Sequence, residues 1–228
     1  MQPPADLLPS PIEYGVYDIP LELAASLEPQ RASLHSTLLA AQRRLRDFAL
    51  KHDWQVHVKD PFARLFHVYA GKPSFDHDLL ALCGLDPALE LPPTYCAALE
   101  QGVLMSVTPE LYRALYPQGD EEGAFEKLLA HEMAHRLHIR ILCGDEDAMG
   151  PVWFYEGFAL HAAGQFETAP HLAAAQIWDV VGAQERTDYR QYAAVFRHFL
   201  ARAPLHQLIS MAGKAEFAGW LKEINAGQ

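Results

Sequence analysis

His131 and His135 stand one helical turn apart in the run HEMAH, with Glu132 directly after the first. Residues four apart share one face of a helix, so both imidazoles can bind a single ion. Glu132 is rotated by about 100° from His131, close enough to reach a water on that ion without ligating it. This is the mechanical basis of the H-E-x-x-H pattern of zinc hydrolases. The plainer alternative is a surface helix with two solvated histidines, and a third ligand elsewhere in the chain separates the two readings.

Three places for that ligand can be compared. The metzincin extension needs Gly at position 138 and His at 141, where this chain has His138 and Ile141. The inverted order H-x-x-E-H does not occur. What remains is a glutamate on the next helix, and WFYEGFA (Trp153–Ala159) supplies Glu156, 21 residues after His135. Between them lies a turn marked by Gly144 and by Gly150-Pro151, which lets a second helix pack back and aim a carboxylate at the ion. The neighbours of Glu156 (Val152, Trp153, Phe154, Tyr155, Phe158, Ala159 and Leu160) are nearly all apolar. A charge enters such a helix when it is paired or binds a metal. Gly157 costs about 1 kcal/mol relative to Ala inside a helix, which suggests close packing beside the site.

HEMAH followed by WFYEGFA resembles the gluzincin zinc metallopeptidases, in particular the peptidase MA-like proteins with H-E-x-x-H and a downstream W-x-x-E-G-x-A. The resemblance covers about residues 100–202. It implies one zinc per chain held by His131, His135 and Glu156, with Glu132 as general base and then acid in peptide hydrolysis. Many gluzincins also carry a helical tyrosine that stabilises the oxyanion, and in the aminopeptidase-like branch its run resembles Y-x-x-G-A-x-V-x-R-x-L. Here YRQYAAVFRHF runs from Tyr189 to Phe199, and Tyr189, Ala193, Val195 and Arg197 agree with that pattern. Tyr192 replaces the small residue and, three positions along the same face, is an alternative donor; both tyrosines also suit an amphipathic core edge. The exopeptidase signature G-x-M-E-N is missing. The strand GVLMSVT is expected to offer an edge to extended substrate. His138 is expected near the cleft, and it and His198 are the next oxyanion donors in line.

The elements that must position these groups follow from pattern. Residues 1–20 read as a proline-rich irregular lead-in, and 21–51 as a helix with Leu34, Leu38, Leu45 and Phe48 near one face. Trp54–Val58, Ala63–Ala70 and Gly102–Thr108 read as strands. SFDHDLLALCG reads as a short helix capped by Ser74 and ended by Gly84, and Pro109 opens a helical turn. From Gly119 on the chain changes character, with helices over about 121–142, from Pro151 through VWFYEGFALHAAG, and over 171–183, 187–202, 204–213 and 215–226. The acidic stretch GDEDAMG lacks EF-hand spacing and reads as a solvated loop. The expected fold is α+β and zincin-like, in a single domain. Its halves are an α/β part over about 1–118 with a small mixed sheet and an all-helical part over about 119–228 that carries both motif helices.

Composition bounds the function. The 228 residues carry a net charge of −11 and a pI of about 5.5, which argues against nucleic acid or an anionic membrane as partner. Three cysteines without a CxxC pair suggest neither a disulfide framework nor a zinc-thiolate site. The N-terminus lacks the basic and apolar regions of a secretory signal, and no run of about 20 apolar residues occurs, so a cytoplasmic location is expected. The expected partner is a peptide or protein substrate. A zinc- or peptide-binding module without turnover, or a hydrolase of a non-peptide amide, are the alternatives; Glu132 argues against the first, because a binding module has no use for a general base.

Overall fold

In the computed structural model, which describes residues 9–183, 186 and 188–226, the chain is mixed α+β, with its strands in the N-terminal half and a helical C-terminal half. Its contacts divide into two compact units, Met1–Met133 and Ala134–Gln228.

The first unit begins with a hairpin of β1 (Ser10–Glu13) and β2 (Val16–Asp18), turned at Gly15 with φ 72°. The expected irregular lead-in is therefore structured over its second part, and residues 1–8 lie outside the described residues. Next comes β3 (Leu21–Leu23), then a 3-10 turn over Ala25–Gln30 that contains Pro29, and only then helix α1 (Arg31–Lys51). The helix expected from residue 21 thus starts ten residues later. Pro20 and Pro29 flank and interrupt the stretch, and neither suits a helix interior. Helix α1 buries Leu34, Leu38, Ala41, Leu45 and Ala49, close to the face read from sequence. It also buries Gln42, whose amide bonds both main-chain groups of Tyr17, each at 3.0 Å, and so ties the hairpin to the helix.

Trp54–Val58, expected as a strand, is a 3-10 turn over Gln55–Val58. Asp53 has φ 59° and the Trp54 amide bonds back to Ala49 O at 2.8 Å, so the chain curls against the end of α1 instead of extending. Strand β4 (Leu65–Tyr69) follows as expected. Helix α2 (Lys72–Cys83) starts two residues before Ser74, flanked by Gly71, and ends at Gly84 in the left-handed conformation. Strands β5 (Ala97–Glu100) and β6 (Val103–Val107) form a hairpin around Gln101 and Gly102, both at positive φ (49° and 78°), the backbone that a two-residue hairpin turn favours. The sheet order is β3-β4-β6-β5, with parallel pairs except β5–β6. Strand β6 is paired on both sides and is not the edge strand expected from sequence; the outer strands are β3 and β5. Helix α3 (Pro109–Leu115) is capped by Thr108, whose hydroxyl accepts from Leu111 N at 3.3 Å.

Helix α4 (Ala124–Ile141) carries HEMAH. Near its start Arg44 of α1 pairs with Glu126 at 2.7 Å. It ends where Cys143 and Gly144 take positive φ (58° and 92°). In GDEDAMG, Asp145 accepts from Ala148 N at 3.3 Å and a 3-10 turn forms over Asp147–Met149. Pro151, expected at the first helical position, stands one place earlier and flanks α5 (Val152–Ala163). Helices α6 (Ala174–Gly182), α7 (Tyr189–Leu200), α8 (Leu205–Ala212) and α9 (Phe217–Ala226) complete the second unit. The helix expected over 187–202 begins at Tyr189, and Thr187 lies outside the described residues. Among the described residues no helix is long and apolar enough to cross a membrane.

Helix α5 is buried almost all round, as its composition implies. Trp153 stacks on Phe217 with ring centres 6.0 Å apart, and Phe154 lies 5.4 Å from Phe196 of α7. Gly157 permits the close approach of α5 and α7: a Cβ there would stand 2.8 Å from Cβ and Cδ2 of Phe196. Phe196 cannot yield at its Cβ without moving the backbone of α7. Overpacking costs about 1–3 kcal/mol and alanine regains roughly 1 kcal/mol in a helix, so Gly157→Ala should destabilise the fold by up to about 2 kcal/mol net. Thermal melts of the metal-free protein should show Tm lower by several degrees; an unchanged or raised Tm would mean that the helices separate at little cost.

Candidate metal centre

Helix α4 places His131 and His135 on one face, one turn apart, and α5 supplies Glu156. One ligand atom from each of the three lies within 4.8 Å of the others, and among the described residues this is the one such group of histidine, cysteine and acidic side chains that could hold a metal ion. His131 and Glu156 are buried, at 5% and 2% exposure, while His135 is half-buried. The three residues singled out from spacing and local composition are thus brought together.

The two oxygens of Glu156 face different ways. Oε2 lies 3.7 Å from His135 Nε2. Oε1 accepts from Arg186 Nη1 at 2.7 Å. A carboxylate buried to this extent requires a compensating positive charge, and Arg186 supplies one. The guanidinium also reaches the Tyr189 hydroxyl from Nη1 at 3.2 Å and the Tyr155 hydroxyl from Nη2 at 3.4 Å. Tyr155 in turn stands edge-on to the His135 ring, with centres 5.8 Å apart. Burial raises the pKa of the Tyr155 phenol, with Arg186 pulling against it, so the hydroxyl stays protonated and able to donate.

Two imidazole nitrogens and one carboxylate oxygen give a set of three side-chain donors that could hold a metal ion. Glu132, next to His131 on α4, is half-buried. Tyr189 is half-buried at the start of α7 and joins Glu156 through the shared guanidinium. Tyr192, the alternative donor, is 1% exposed within the inner face of α7, its ring edge-on to that of Tyr189 at 5.9 Å.

His138 does not line a cleft. It is fully buried and stacks on Phe158 with ring centres 4.4 Å apart, and among the described residues neither ring nitrogen has a hydrogen-bond partner. Burial pushes its pKa down to about 4, so it is a neutral core residue. It shares the face of His131 but lies one turn beyond His135, against the aromatic side of α5. His198 bonds Asn225 Oδ1 at 2.8 Å.

Two residues of this cluster carry no signal of their own in the sequence. Tyr155 reads there as one more apolar flank of Glu156. Arg186 is a lone basic residue outside any motif, and only the packing of α5 against α7 brings it to the carboxylate. Comparison with protein-family models, with curated proteins and with solved structures finds no match to the chain, so its chemistry must be read from this geometry.

Proposed function

We propose that the chain is a zinc-dependent metallopeptidase of the gluzincin, peptidase MA-like type. The observation that carries this is the gathering of His131, His135 and buried Glu156 within ligand distance of one another, on a helix where a glutamate directly follows the first histidine. A bound zinc would supply a Lewis acid that makes water nucleophilic near neutral pH and polarises the scissile carbonyl. The chain's own groups do the rest. His131, His135 and Glu156 would hold the ion. Glu132 takes the proton from the attacking water and returns it to the leaving amine, so no covalent intermediate with the protein forms. Tyr189 donates to the developing oxyanion, and accepting a bond from the Arg186 cation makes its hydroxyl a stronger donor. The substrate is a peptide or protein.

A cleavage screen on a broad peptide library tests this reading. Zinc-loaded protein should cut, metal-stripped protein should not, and added zinc should restore cutting. One bound zinc per chain with no cleavage in the whole library would instead favour a binding module.

Tyr189→Phe removes only a hydroxyl. Stability should barely change and zinc affinity should fall only slightly, because Tyr155 still holds Arg186, while kcat falls by roughly 10²–10³, in line with losing one oxyanion donor. KM should move little, because the bond forms mainly in the transition state. Tyr192→Phe, altered inside the packed face of α7, should leave kcat close to wild type. The reverse pattern in the two variants would transfer the role to Tyr192.

A further inference from the structure

We propose that Arg186 is a positioning residue of the metal centre: it grips one oxygen of Glu156 and thereby presents the other to the ion. The proposal rests on the metal reading above. Its basis is the split of the carboxylate, with Oε1 bound to Arg186 Nη1 at 2.7 Å and Oε2 turned to within 3.7 Å of His135 Nε2. The terminal torsion of a glutamate is broad and roughly two-fold, so packing along the side chain does not settle which oxygen faces which way. A planar guanidinium does, because it is itself held at other points, by the hydroxyls of Tyr189 and Tyr155.

Two effects of this cation oppose each other at the ion. Repulsion of a divalent metal weakens binding, while a fixed carboxylate strengthens it. Exposure decides between them. The Arg186 side chain is 54% exposed and that of Glu156 is 3% exposed. Water screens the guanidinium's long-range field, but its direct bond to the buried oxygen is short and sheltered. Orientation therefore dominates, as it does for the outer partners of metal ligands in general.

The test is the zinc dissociation constant of the full chain, by competition with a chromophoric chelator, for wild type, Arg186→Ala and Arg186→Lys. Arg186→Ala should bind zinc about 10–100-fold more weakly. Arg186→Lys should recover part of the loss, since an ammonium can hold Oε1 but cannot also reach both tyrosines. The visible absorption of the Co2+-substituted protein should change in Arg186→Ala, a signature that general loosening far from the ion would not move. Equal or tighter zinc binding by Arg186→Ala, or an unchanged cobalt spectrum, overturns the proposal. If Arg186→Ala does not fold, Arg186→Lys decides: weaker binding than wild type supports the proposal, and equal binding overturns it. A wild-type chain that binds no zinc would overturn the metal reading itself, an outcome distinct from a failure confined to Arg186.

Discussion

Glu132→Gln should bind zinc with wild-type affinity and lose hydrolysis by about 10²–10⁴-fold, the contribution of a positioned general base. The substitution keeps the volume and the hydrogen-bonding reach of the side chain while removing its capacity to take a proton. Because Glu132 is rotated off the face that carries His131 and His135, it is not among the metal-holding residues. Zinc content, melting temperature and circular dichroism should accordingly match wild type, and the loss should fall on kcat. The measurement is cleavage of the best peptide from a library screen, with zinc determined on the same samples. A variant that kept full activity would remove Glu132 from the chemistry and point to a second site or a contaminating peptidase. A variant that lost its zinc would instead make Glu132 part of the metal shell.

Local interactions are legible in the sequence, and non-local ones largely are not. The i, i+4 spacing of His131 and His135 is a property of one helix, so the sequence alone places both imidazoles on one face. The glycines that end α2 and α4, Gly84 and Gly144, act through their own backbone angles and are equally readable. Glu156 stands out because a carboxylate among aromatic residues needs a partner, a local anomaly with a non-local cause. Strand β5 escapes a reading by pattern because Ala97, Ala98, Leu99 and Glu100 favour helix; pairing with β6 overrides that preference. Val56 and Val58 suggest a strand, but among the described residues no neighbouring strand pairs with them, and the end of α1 curls the segment instead. The misplaced edge strand has a related origin, since period and propensity identify a strand but not the number of its neighbours. Arg186 is illegible because nothing within its own segment refers to Glu156, 30 residues earlier.

Glu156→Gln is the sharpest test of the metal centre, and zinc affinity should fall well beyond the about 100-fold upper range typical of outer-shell partners. The choice of Gln over Ala matters. Removing the whole side chain would leave a cavity within α5 against the aromatic core, a cost of its own. Glutamine fills the same volume and still offers Arg186 a carbonyl oxygen in place of Oε1. Arg186 is half-exposed, so the charge that loses its partner can be solvated, and the metal-free variant should melt near the wild-type temperature. What changes is the net charge of the donor set: two neutral imidazoles and a neutral amide attract a divalent cation far less than two imidazoles and a carboxylate. Zinc titration followed by calorimetry, with His131→Ala as a comparison, should show both variants weakened, and thermal melts should show zinc raising Tm in wild type only. The stabilisation of wild type grows as RT ln(1 + [Zn]/Kd), about 2.7 kcal/mol at a hundredfold excess over Kd, so the contrast is readable as a shift in Tm. Full zinc affinity in Glu156→Gln would show that the carboxylate on α5 does not ligate, and that Arg186 and the two tyrosines surround it for another reason.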